Sequence, residues 1–218
     1  MIANDVKLIE YSKAVDRWNC ITHAVGAVFS VFATVFLLAQ ANNTRKFVSG
    51  LIYGLSMLAV YTVSSVYHGL PMGETKRRAR LADHSAIPIL IAGTSTPCAL
   101  ITLHEVSVAH GIAVFVIAWF CAVFGVVSKV FFFEKLKAVT MAVYIISCVA
   151  MLGCAVPLLG EIDVGAFLGL LAGCIVYVVG AVFCYLGIKR PALHIVFHIF
   201  VFAATVTHYA VIYNNIYG

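Results

Sequence analysis

Apolar runs of about 20 residues recur along almost the whole 218-residue chain, at about 20–40, 48–68, 84–103, 108–128, 138–158, 164–187 and 191–213. A helix of roughly 20 apolar residues is long enough to cross the hydrocarbon core of a bilayer. Within that core a spanning segment must satisfy its own backbone hydrogen bonds, which helices do. The connections are short enough to force neighbouring helices antiparallel. The expected fold class is therefore all-α: a polytopic membrane protein, a seven-transmembrane-helix bundle. Composition agrees, since 63% of residues are hydrophobic and 11% charged, against about 25% charged in soluble domains. That balance excludes an ordinary soluble globule, a disordered chain and a nucleic-acid binder. Gly93, Pro97, Gly153 and Pro157 interrupt the runs, which membrane bundles tolerate.

Charge placement predicts orientation. Lys7, Lys13, Arg17, Lys76, Arg77, Arg78, Arg80, Lys129, Lys135, Lys137, Lys189 and Arg190 fall on one side of the expected membrane, and only Arg45 and Lys46 on the other. Lys and Arg accumulate in cytoplasmic loops, so twelve against two predicts a cytoplasmic N-terminus and an external C-terminus. Residues 1–18 are expected as a cytoplasmic arm, and 19–218 as a single seven-helix membrane domain. The first run exceeds the 7–15 residues of a signal-peptide core, and a polar arm precedes it; no cleavage is expected, and cleavage would discard His23.

Ionisable residues at membrane depth are functional candidates. By this topology His23, His68, His84, His194, His198 and Asp83 gather in the cytoplasmic leaflet. His194 and His198 form H-x-x-x-H, which places both rings on one helix face, about 6 Å apart along the axis. Such a pair can bind one metal ion. With His68 as a third ligand, one tetrahedral position stays open, the layout of catalytic zinc. Ser64 lies one turn deeper than His68 and could hydrogen-bond water or an oxyanion. Asp83, expected at the start of the third helix, reads either as a cap or a partner for Arg80, or as a group that orients the water or acts as a general base. Asn19 and His23, one turn apart, read as support behind the ligands. His208 is too far along its helix for the same shell and reads as an interhelical hydrogen-bonding residue. The seven cysteines read as apolar packing residues. Lys76-Arg77-Arg78-Ala79-Arg80 reads as a loop against the inner leaflet, and Trp18, Tyr67, Tyr209, Tyr213 and Tyr217 as interface anchors.

Ser64-x-x-x-His68, Asp83 and His194-x-x-x-His198, together with Asn19-x-x-Thr22-His23, resemble the signature of the hemolysin III / progestin-and-adipoQ-receptor (PAQR) family over essentially the whole length. The bacterial hemolysin III branch often carries Glu where this chain has Asp16. The resemblance implies a seven-helix bundle with zinc near the cytoplasmic side. His68, His194 and His198 would be its ligands, Asp83 would contact the zinc-bound water, and Ser64 would lie nearby. It also implies kinship with alkaline ceramidases, hydrolases of lipid amides, and a link to membrane homeostasis.

The leading expectation is a zinc-dependent lipid amidase or esterase, ceramidase-like, in a bacterial inner membrane, with a membrane lipid as substrate or ligand and no nucleic-acid partner. Zinc would activate water, Asp83 would accept its proton, and Ser64 would steady the carbonyl oxygen. A receptor-like protein with a structural zinc is the alternative; four protein ligands would favour it. A histidine-relay channel or transporter is a third reading, weakened by the near absence of carboxylates from the spans.

Overall fold

The computed structural model describes residues 6–218, apart from the side chains of Ala150, Met151 and Cys154. All regular structure among them is helical: α1 Lys13–Ala39, α2 Thr44–Gly69, α3 Glu74–Val106, α4 Val108–Phe132, α5 Lys137–Ala155, α6 Val164–Gly187 and α7 Leu193–Val211. A π-helical turn, Ile212–Tyr217, extends α7, and another, Cys98–Leu103, lies within α3. The turn in α3 follows Pro97, which has no N–H to give to the ladder. Successive helices pack as neighbours, α1 on α2, α2 on α3 and α6 on α7, and α7 closes against α1.

Among the described residues six helices are long and apolar enough to cross a membrane, which makes the chain a multi-pass integral membrane protein. All seven expected helices are present; six of them qualify as spans, and for α5 the apolar stretch among the described residues is the shorter Lys137–Val149. Its start carries charge at Lys135 and Lys137. Its end tightens into a 3-10 turn at Val156–Leu158, where the Pro157 ring cannot continue the helix. The helix still runs between the two ends of the bundle. Phe133, before it, packs on Val6, whereas Ala155 and Leu158, at its far end, pack on Ala99 and Leu103.

The polar residues of the spans face inward. On α1 the buried residues are Asn19, His23, Gly26, Ser30, Ala33 and Leu37, a stripe at helical spacing. Phe32, Phe36, Phe120, Ile146, Ile175 and Tyr185 lie outside, exposed. Small and hydroxyl-bearing residues let membrane helices approach closely. At Gly26 a Cβ would collide with the Tyr61 ring. Ser30, Thr94 and Thr205 are among the buried hydroxyls. A core joining α1, α2, α3 and α7 is built on Leu37, Tyr53, Met57, Tyr61, Leu90 and Ile212.

α1 begins at Lys13, capped by the Ser12 hydroxyl, which accepts from the Val15 N–H at 3.3 Å. The boundary expected at residue 18 therefore falls inside the helix. Ahead of it, Val6 and Tyr11 are buried. α3 likewise begins at Glu74, so the basic stretch 76–80 is helical rather than a loop. Asp83 lies within the helix and is not its cap. Gly73, in the turn before it, has φ 149°, backbone that disfavours any residue with a Cβ.

The two chain ends lie at opposite ends of the bundle. At one, Tyr217 donates its hydroxyl to the Lys46 carbonyl, and Lys46 Nζ returns a bond to the Tyr217 carbonyl at 3.0 Å. Tyr217 and Tyr67 are thus buried rather than interface anchors. At the same end Asp163 caps α6, accepting from the Ala166 N–H at 2.8 Å. That bond holds the Asp163 carboxyl below its ordinary pKa. A depressed folded-state pKa gives stability that is present above the unfolded pKa and lost as pH falls through the folded one. Asp163→Ala is therefore expected to lower the thermal midpoint at neutral pH, with the gap to wild type closing in acid. Melting curves from pH 7 down to about pH 3, near the usual Asp range, check this.

Candidate metal site

Four helices deliver side chains to the other end of the bundle. α2 ends with His68, α7 begins with His194 and His198, and α1 and α3 flank them. His68 and His198 are buried and His194 partly so. Each offers one nitrogen, and the three nitrogens lie within 4.8 Å of one another. The i, i+4 spacing brings the His194 and His198 ring centroids to 4.8 Å, and His68 stands 5.0 Å from His198 and 5.5 Å from His194.

The surrounding hydrogen bonds orient the rings. His68 Nδ1–H donates to Asp16 Oδ1 at 2.9 Å; its Nε2 is buried with no protein partner. A buried polar atom without a partner is costly, and a lone pair aimed at two other imidazoles suits a metal ion. His198 Nδ1–H donates to the Asn19 carbonyl at 3.3 Å and faces the Thr22 hydroxyl at 3.4 Å. The Thr22 hydrogen is directed to the Trp18 and Asn19 carbonyls, so its oxygen is free to accept. Hydrogen bonds of this kind fix the tautomer and direction of metal-binding histidines. Three imidazoles with one partnerless nitrogen fit zinc in donor type and number.

Asp16 also binds Lys76 Nζ through its second oxygen at 2.8 Å. Lys76, 1% exposed, completes its shell on the Leu70 carbonyl at 3.0 Å and lies over the Tyr67 ring. The basic stretch is thus divided: Lys76 and Arg80 are buried, while Arg77 and Arg78 pair with Glu74. Tyr11 covers the cluster, stacked on His194 at 5.4 Å and tilted against His68 at 5.6 Å. Burial pushes its hydroxyl well above the ordinary tyrosine pKa, so it stays neutral.

The other expected residues separate. Asp83 lies near the Ser64 hydroxyl and in the field of His68. Asn19 is fully buried, its amide 3.5 Å from His68 Nδ1. His23 stacks on His198 at 3.7 Å, edge-on to Tyr61. His84 does not join the cluster. Its neighbour Asp83 takes the inward direction, and His84, about 100° further round the helix, packs on Phe133 at 5.0 Å. His208 makes an interhelical bond to the Leu170 carbonyl at 3.0 Å.

Sequence reasoning missed Asp16, Tyr11 and Lys76. Asp16 was within reach, because Asp16, Asn19 and His23 share one face at i, i+3, i+7. Tyr11 precedes the helix and carries no periodic signal.

Residues 11–209 match the model of the Haemolysin-III related family. The chain is 37% identical over 186 residues to the Hemolysin-3 homolog of Bacillus subtilis (strain 168), covering 84% of this chain and 85% of that one. To Hemolysin-3 of Bacillus cereus it is 35% identical over 186 residues, 84% of this chain and 83% of the relative. The Monocyte to macrophage differentiation factor of Homo sapiens is more distant, at 24% over 205 residues, 91% of this chain and 83% of the relative. With the family model spanning nearly the whole chain and its site-bearing ends, the protein belongs to the Haemolysin-III related family.

Proposed function

We propose that the protein is a zinc-dependent hydrolase of a lipid amide or ester, working in the cytoplasmic leaflet of a bacterial inner membrane. The observation that carries the reading is the convergence of His68, His194 and His198, one nitrogen partnerless, with Asp83 and Ser64 close by. The three histidines would hold the ion. Zinc, when bound, supplies Lewis acidity and eases deprotonation of water near neutral pH. Asp83 is the base: its carboxylate accepts the proton of the attacking water, and Ser64 holds that carboxylate in place. Asp16 fixes His68, and the Asn19 carbonyl fixes His198. Tyr11 and His23 cover the rings and limit bulk water. Three candidate ligands, with no fourth in the cluster among the described residues, favour an open coordination position over a closed structural one.

The apolar outer wall gives acyl chains a path to the site. The twelve-to-two distribution of Lys and Arg supports the cytoplasmic placement. The test is turnover of fluorescent N-acyl and O-acyl lipids by protein in liposomes. Wild type should hydrolyse one class, chelator should stop it, and Zn²⁺ should restore it. Asp83→Asn should keep the metal and lose the base, a contribution of about 10²–10⁴-fold in rate. Full turnover by Asp83→Asn would remove Asp83 from this role.

A further inference from the structure

Arg80 and Lys129 come from different helices, α3 and α4, and each is only 7% exposed. Both rest on the ring of Phe133, Arg80 Cζ at 5.3 Å and Lys129 Nζ at 5.0 Å from its centroid. They are close enough to repel each other. Among the described residues neither has a carboxylate within ion-pair distance. Arg80 Nη1 is buried with no hydrogen-bond partner. Among the described acids, Asp16 pairs with His68 and Lys76 and Glu134 with Lys137, while Asp83 and Glu134 act on Arg80 and Lys129 only from beyond contact distance. His84 packs on the same ring and brings no negative charge.

Two buried cations of like sign with no carboxylate in direct contact are unfavourable, and the longer-range pull of Glu134 on Lys129 and of Asp83 on Arg80 leaves Arg80 Nη1 unpartnered. A bound anion removes that penalty. A guanidinium fork matches the paired oxygens of a phosphate or carboxylate, and an ammonium beside it adds a point charge. Arg80 is also one turn from Asp83 on α3 and acts electrostatically on His194 and Tyr11, so the pair borders the histidine cluster.

We infer that Arg80 and Lys129, brought together over Phe133, form an oxyanion-binding site that takes the phosphate or carboxylate headgroup of an amphiphile beside the three histidines. The site acts whether or not a metal is bound, so it is tested on chelator-stripped protein as well as zinc-loaded protein. Failure of lipid hydrolysis leaves it standing.

The test uses full-length protein in a neutral maltoside detergent, titrated calorimetrically with dodecyl phosphate and, separately, with inorganic phosphate. Wild type, Arg80→Gln, Lys129→Gln and the exposed control Lys135→Gln are compared. Wild type and the control should bind dodecyl phosphate at least about tenfold more tightly than either site variant, the loss expected when a charged hydrogen-bond partner is removed. Binding of dodecyl phosphate but not inorganic phosphate identifies a lipid headgroup. Equal binding of both identifies a free anion as the source and corrects the ligand named here. Equal affinity of all four proteins overturns the site. Thermal midpoints without anion give an independent reading: Lys129→Gln relieves repulsion and should melt at or above wild type. A lower midpoint would show that Glu134 already neutralises Lys129, and would overturn the proposal.

Discussion

Replacing His198 with alanine is expected to remove zinc from the purified protein, from about one ion per chain to none, because a three-histidine site with one open position cannot hold the ion on two. His198 lies at the centre of the cluster, 5.0 Å from His68 and 4.8 Å from His194 between ring centroids. His68→Ala should do the same from a different helix, and this parallel is the informative part. Joint loss places the ends of α2 and α7 around one ion, whereas loss in only one variant separates them. Elemental mass spectrometry of chelator-free preparations reads the result, with circular dichroism to show that the helices persist. Stoichiometric zinc in His198→Ala would end the metal reading, and the hydrolase proposal with it.

Asp16→Ala should produce the largest loss of stability together with a loss of metal affinity. Its carboxylate is the only acidic partner of Lys76 among the described residues, and the Lys76 side chain is 1% exposed. Removing one member of a buried pair leaves an uncompensated charge, at a cost of about 3–5 kcal/mol. The same substitution frees the His68 ring, and loss of such an orienting partner lowers metal affinity by about 10–100-fold. The two effects have different cures. Asp16→Ala with Lys76→Met should regain most of the thermal midpoint but not the zinc affinity, measured by competition with a chelator of known strength. If affinity recovers along with stability, Asp16 supports the fold and does not orient His68.

Much of the site was legible before the structure because helical spacing is a local property. His194 and His198 must share a face at i, i+4, and Ser64 and His68 likewise. The depth match between the end of one apolar run and the start of another predicts that they meet at one end of the bundle, as His68, His194 and His198 do. Adjacent residues were harder. Asp83 and His84 sit at the same depth, and depth cannot say which of them points inward; packing sent one to Ser64 and the other to Phe133. Charge counting had the same limit. It treated Lys76, Arg77, Arg78 and Arg80 as one patch, yet the helix that begins at Glu74 turns Lys76 and Arg80 into the bundle and leaves Arg78 outside.

The sequence by itself determined that the chain is helical and membrane-embedded, and which histidines could meet. Those outcomes follow from run length and from a 3.6-residue period, which neighbouring residues set. The tertiary structure decided how each of those groups is satisfied. Only there does Asp16 link His68 to Lys76, Tyr11 cover the rings, and Arg80 meet Lys129 over Phe133. These contacts join residues far apart in the chain, and no local pattern encodes which charge finds a partner once water is excluded.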